Sequence, residues 1–135
     1  MPGVNDPLYR LVCVPAVLDD APPGWTTAML REGEMALQVD DGGLEAIDAV
    51  AHALDLVAVS VLRAERTPAE QERTVIAYAG SLPLVWVAGT FSDQARDWAR
   101  ERGPMTLLVE AARPLSEDDR HRVDRFVALL GRQAE

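Results

Sequence analysis

The sequence predicts a three-layer α/β domain, a mixed or mostly parallel sheet of four to five strands flanked by helices. Three observations carry this. The runs Leu56–Leu62 and Leu84–Val87 are short and almost wholly apolar, as expected of strands covered on both faces. Segments with helical periodicity and helix caps alternate with these runs, and that alternation implies parallel pairing through right-handed crossovers. The stretch Pro83–Leu115 marks every boundary of one strand–helix–strand unit. At 135 residues the chain suffices for one core, read as a flexible N-terminus over residues 1–7 and a single α/β domain over 8–133. No linker or internal repeat is visible.

Leu8–Val14 is β-prone, and Pro15 ends its ladder. Asp19–Gly24 is a loop. Thr26–Leu37 is expected to be helical, with Thr26 or Thr27 as cap, although Gly33 weakens it. Asp40–Gly43 is a turn. After it, Leu44, Ile47, Ala51 and Leu54 recur at helical spacing. The competing reading is a hairpin in which Met35, Leu37 and Val39 alternate into an Asp-Gly turn. Leu56–Leu62 is a strand. Thr67-Pro68-Ala69-Glu70 opens a helix, with Thr67 as N-cap, Pro68 at N1 and Glu70 completing a capping box. Leu84–Val87 is the next strand and Gly89–Phe91 a turn. Ser92 caps a helix whose apolar face is Ala95, Trp98 and Ala99, and Gly103-Pro104 stops it. Met105–Val109 is the last strand. Ser116–Asp119 opens a final helix with Val123, Phe126, Val127 and Leu130 on its buried side.

The net charge is −9, with 22 acidic residues. That argues against a phosphodiester backbone as partner. All 13 basic residues are Arg. Without Lys there is no Schiff-base chemistry and no P-loop lysine. Such a composition suggests a GC-rich, bacterial coding sequence. One cysteine, Cys13, excludes an intramolecular disulfide. The start MPGVNDP lacks the basic region of a signal peptide, and no apolar run nears the about 20 residues needed to cross a bilayer. The expectation is a cytoplasmic protein without a membrane partner.

Few residues suggest chemistry. Cys13 reads as a buried structural thiol, since nothing nearby lowers its pKa. His52 and His121 are far apart, and no HxxxH, HxH or CxxC spacing exists, so no zinc motif is present. Asp19, Asp20, Glu65 and Glu110 follow predicted strands. In a parallel sheet these positions share the carboxyl edge, where ligands bind. Thr90 and Ser92 join that edge ahead of a helix N-terminus. A divalent cation held there is the one cofactor the residues suggest; the plain alternative is a set of solvated loop carboxylates and a helix cap. The pair Asp19-Asp20 invites comparison with a phospho-receiver, but the required later aspartate and lysine are missing. No GxxxxGK[ST], GxGxxG or GxSxG motif is present.

Thr90, Phe91, Ser92, Ala95, Ala99, Leu107, Leu108 and Leu115, within Val85–Leu115, resemble the closing half of Mrr-type restriction endonuclease domains of the PD-(D/E)xK superfamily. Asp55–Arg63 resembles that family's core strand and Asp41-Gly42-Gly43-Leu44-Glu45 its DGGID-like segment. The resemblance covers roughly residues 41–115. It implies a restriction-endonuclease-like fold and a site of two acidic or amide groups and a lysine around a divalent metal. On this sequence the matching positions hold Glu45, Ser60 and Leu62. A leucine cannot orient water, so the resemblance implies a catalytically inactive form. It also places a strand where Leu44–Leu54 reads as helix.

No complete catalytic constellation is present. The sequence therefore points to a non-enzymatic binding or regulatory protein, working without a cofactor through a protein partner or through itself as a homodimer. The alternatives are a small-ligand or metal-binding enzyme or sensor using the carboxyl edge, and a residual DNA-binding or nuclease function.

Overall fold

The structure, a computed structural model, describes residues 7–56, 59–111 and 113–134. Five strands make one sheet: β1 (Tyr9–Cys13), β2 (Gly33–Gln38), β3 (Ser60–Leu62), β4 (Leu84–Ala88) and β5 (Thr106–Glu110). Their order is β3-β2-β1-β4-β5, and every pairing is parallel. The helices are α1 (Trp25–Met29), α2 (Gly43–Ala53), α3 (Pro68–Ala79), α4 (Asp93–Arg102) and α5 (Glu117–Ala134). Short 3-10 turns follow β1, at Pro15–Leu18, and α4, at Gly103–Met105.

The strand order follows from crossover handedness. The chain moves outward from β1 to β2 to β3, then returns past β1 to β4 and β5. Right-handed crossovers in opposite directions place their helices on opposite faces. Tyr9, Leu11, Cys13, Leu37, Val85, Val87 and Val109 point to one face, where Met29 of α1, Ile47 of α2 and Val123 and Leu130 of α5 cover them. Val12, Ala36, Leu62, Leu84 and Trp86 point to the other, under Val75 and Ala79 of α3 and Ala95 of α4. Alternation along each strand thus feeds two cores separated by the sheet.

Most expected elements are present. Thr67 caps α3, its hydroxyl oxygen accepting from the Glu70 amide at 3.1 Å. The Glu70 carboxylate accepts a hydrogen bond from the Thr67 hydroxyl at 3.3 Å, so the box closes through the hydroxyl and not through the Thr67 amide. Ser92 caps α4 by accepting from Ala95 N at 3.1 Å. Gly103, at φ +62°, ends that helix.

Two readings are corrected. The helix expected over Thr26–Leu37 is only α1, and Gly33–Gln38 is a strand. A side chain at 33 would meet the Tyr9 ring, which fills that space, and Met35, Ala36 and Leu37 are all buried, as in a strand covered on both faces. Met35 and Leu37 of the competing reading thus lie in a strand, whereas Val39 falls beyond its end and is exposed. The strand does not turn back as a hairpin; it runs parallel to β1 and enters α2 through Asp40–Gly43. The strand expected over Leu56–Leu62 is assigned only at Ser60–Leu62, with residues 57 and 58 outside the described residues. Residues 1–6 of the expected flexible terminus lie outside them too. Where the nuclease resemblance implies a strand, over 44–54, the chain is helical.

Candidate functional site at the carboxyl edge

The order β3-β2-β1-β4-β5 reverses direction at β1. The loops leaving β1 and β4 therefore diverge to opposite faces and leave a crevice at their carboxyl ends, where open α/β sheets take ligands. A cleft of about 830 Å³ opens there, within the range of small-molecule sites. Its floor is the turn Val14–Leu18 after β1 and Ala88-Gly89 after β4, and its wall is the inner side of α2.

Local chemistry sets the polar rim. Asp40 follows β2, and its Oδ1 accepts from Gly42 N at 2.9 Å, closing a tight turn. Gly43 then adopts φ +65° and its amide donates to Asp40 O at 2.9 Å. One oxygen of Asp40 is thereby fixed. Asp41 and Asp19 stand exposed at the mouth, and Gln38 and the buried Thr26 complete the polar lining. No Arg or His lines this cleft among the described residues. Its potential is negative, in a chain already at −9.

A second cleft of about 470 Å³ lies across the edge, on the α3–α4 face. Pro68 and Ala69 of α3, Trp86, Thr90, Phe91, Ser92 and Gln94 line it. Glu72 of α3 reaches over the α4 N-terminus, where Ser92 donates to its carboxylate through both amide and hydroxyl. The anion that a helix N-terminus attracts is therefore an internal one. Trp86 packs edge-on to Phe91 at 5.0 Å and to Trp98 at 6.3 Å.

The edge residues named from sequence divide. Asp19 lines the first cleft, and Thr90 and Ser92 line the second. Asp20 is exposed in a left-handed backbone conformation and lines neither. Glu65 accepts from Arg63 and from Thr74 Oγ1, and the Arg63 hydrogen bond holds its carboxyl below the usual range. Glu110 pairs with Arg96. These two acids are committed to the protein itself. Among the described residues no group of three or more His, Cys, Asp or Glu side chains is arranged to hold a metal ion.

The positions drawn from the nuclease resemblance do not converge. Glu45 is exposed in the first turn of α2, on one side of the sheet. Leu62 belongs to the core on the other side, and Ser60 is exposed on the same strand. Cys13 is fully buried, and burial pushes its thiol up to about 12, which makes it inert at neutral pH.

Sequence reading missed Gln38, Asp40, Asp41 and Trp86 as site residues. The signal for the two aspartates was present, since acids just beyond a strand end mark a ligand edge. It is obscured because Gly33–Leu37 carries helical spacing in the sequence, so no strand end precedes the two aspartates there. No family model, curated protein or solved structure matches this chain.

Proposed function

We propose that the protein is a small-molecule-binding domain, a sensor or carrier, whose ligand sits in the cleft at the carboxyl ends of β1, β2 and β4 and is uncharged or cationic. The observation that carries this reading is the cleft itself: about 830 Å³ at the point of strand-order reversal, walled by apolar side chains, rimmed by Asp19, Asp40 and Asp41, and without a basic lining residue. Carboxylates accept hydrogen bonds from hydroxyl and ammonium groups and repel phosphates and carboxylates. Among the described residues no nucleophile with a paired base lines the cleft, which supports binding over turnover.

Thermal-shift measurements with sugars, nucleosides and polyamines, against sugar phosphates and dicarboxylates, test it. A member of the first group should raise Tm, because a ligand at 100 times its Kd adds about 2.7 kcal/mol. Asp40→Asn, which keeps the acceptor for Gly42, should lower the affinity about tenfold and so cut that stabilisation to about 1.4 kcal/mol at the same concentration. No shift with any of them, or equal shifts with the anionic set, overturns the proposal.

A second reading, self-association, rests on the β3 edge. β3 is one of the two edge strands of the sheet, β5 being the other. Val61 of β3, Val39 just beyond the neighbouring β2 and Leu44 in the first turn of α2 are 44 %, 38 % and 64 % exposed, and exposed edges with apolar residues invite pairing. Light scattering across a hundredfold concentration range decides it, and a monomer throughout rules it out.

A further inference from the structure

We infer that the two clefts are one bipartite site, and that its ligand is of the nucleoside class: a hydroxyl-bearing part held by the carboxylates of the first cleft and a planar, uncharged heterocycle in the second. The inference rests on the small-molecule reading above and goes beyond it by naming the ligand class.

Continuity is the first observation. Gln38, ending β2, and Ala88, ending β4, line both clefts. β2 and β4 flank β1, so the two shared residues stand about 10 Å apart, two inter-strand spacings. That span is passable by one molecule lying across the end of β1.

The second observation is an unmatched donor. Trp86 is 2 % exposed and forms part of the second compartment's wall, and its indole Nε1–H has no acceptor in the protein. Buried polar groups are almost always paired, and leaving one unpaired costs about 1–3 kcal/mol. An acceptor on a bound ligand supplies the missing partner. The donor is itself buried, so the contact requires the side chains that cover it to move.

The third is the chemistry of that compartment. Among the described residues that line it, Glu72 is the one acid and is engaged by Ser92, and there is no Arg. Gln38 and Gln94 present carboxamides, and each carboxamide both donates and accepts. Phe91, Pro68, Ala69 and Ala88 supply apolar surface. Uncharged donor–acceptor edges beside flat apolar walls suit a heterocyclic base. The first compartment, acidic and free of cations, suits a diol and opposes a phosphate. A phosphorylated nucleotide should therefore bind worse than the nucleoside.

The test is an NMR titration of the full chain, ¹⁵N-labelled, with adenosine, guanosine, cytidine and uridine, each alongside its 5′-monophosphate, and with ribose alone. The Trp86 indole signal is assigned by its loss in Trp86→Phe. The expected result is one nucleoside that moves the Trp86 indole signal together with the Asp40–Gly43 amides, with affinity at least tenfold above ribose and above its monophosphate. Asp40→Asn and Trp86→Phe should each lower that affinity several-fold. If ribose or a polyamine moves the Asp40–Gly43 amides and no nucleoside moves Trp86, the bipartite site is wrong while the single-cleft reading stands. If a nucleoside moves neither set and nothing else binds, both fall. A monophosphate that binds as well as its nucleoside also overturns the inference. Should Trp86→Phe not fold, the Asp40→Asn titration and the wild-type shift pattern still decide it.

Discussion

Gly33 begins β2 because Tyr9 occupies the space a side chain would need. A Cβ there would lie 2.4 Å from Tyr9 Cζ, in a ring that is itself wholly buried. Tyr9 cannot readily yield, because its hydroxyl donates to Met29 O at the end of α1. Gly33→Ala should therefore destabilise by about 1–3 kcal/mol, the usual cost of overpacking, read as a lower urea midpoint with unchanged m-value. Tyr9→Phe should cost less, about 1 kcal/mol, since it removes one buried hydrogen bond and keeps the ring. Equal losses in the two variants would show that the ring contact is not what excludes a side chain at 33. Cys13 supplies a pH dependence. Its folded pKa is raised from 9.0 to about 12 by burial. Below pH 9.0 both states hold the proton and stability does not depend on this group. Above it the unfolded chain gains a thiolate that the fold cannot accommodate, so stability falls until about pH 12, by at most about 1.4 kcal/mol per pH unit. Tyr9, also raised by burial and by the nearby Glu32 and Asp124, adds to the loss above its ordinary 10.0. Cys13→Val should be less sensitive than wild type in urea unfolding between pH 8 and 10, and an identical slope would refute the assignment.

Single side chains hold the ends of two helices at the carboxyl edge, with different reach. Thr67 caps α3 alone, and Thr67→Ala should cost about 1 kcal/mol. Ser92 caps α4 and also holds Glu72 of the neighbouring helix. Ser92→Ala removes the cap and one of the two bonds to that carboxylate, so it should cost more than Thr67→Ala. Glu72→Gln should recover only part of that contact, because a charged acceptor at a helix N-terminus is the stronger one. A double-mutant cycle between Ser92→Ala and Glu72→Ala checks the link; additive losses would mean that α3 and α4 are not coupled through this pair. The α2 entrance is tied in the same local way, by the Asp40–Gly43 turn. That turn places carboxylates at the cleft mouth, so the proposed binding would share residues with helix initiation there.

At the scale of the whole molecule, two cores on opposite faces of one sheet make the carboxyl edge the place where layers part. Apolar side chains at the strand centres are covered by helices on both sides. At the strand ends, the loops after β1 and β4 leave in opposite directions, and coverage fails there for topological reasons. A ligand at that edge touches both layers, so its binding should stabilise the molecule as a unit. Hydrogen exchange with a bound nucleoside should slow amides in both α2 and α4. Protection confined to α2 would be consistent with the first cleft alone. The buried thiol offers an independent measure of global opening, since Cys13 is inaccessible until the β1 core separates. Its labelling by a thiol reagent should slow in proportion to ligand stabilisation.

The amino-acid sequence by itself determined the class of fold and its local punctuation. The caps at Thr67 and Ser92, the stop at Gly103, and the apolar stripes of α4 and α5 depend on groups within a few residues of one another, so they are legible without a structure. The edge acids Glu65 and Glu110 were legible as positions, but only the tertiary structure showed them taken by Arg63 and Arg96. It alone decided that Gly33–Gln38 is a strand, because the cause is Tyr9 on another element, 24 positions earlier in register. It alone decided strand order, the parting of the loops after β1 and β4, and hence the meeting of Asp40, Gln38 and Trp86 near one edge. Those juxtapositions are fixed by which face each crossover covers. That choice is made by burial of surfaces distant in sequence, and no local pattern encodes it.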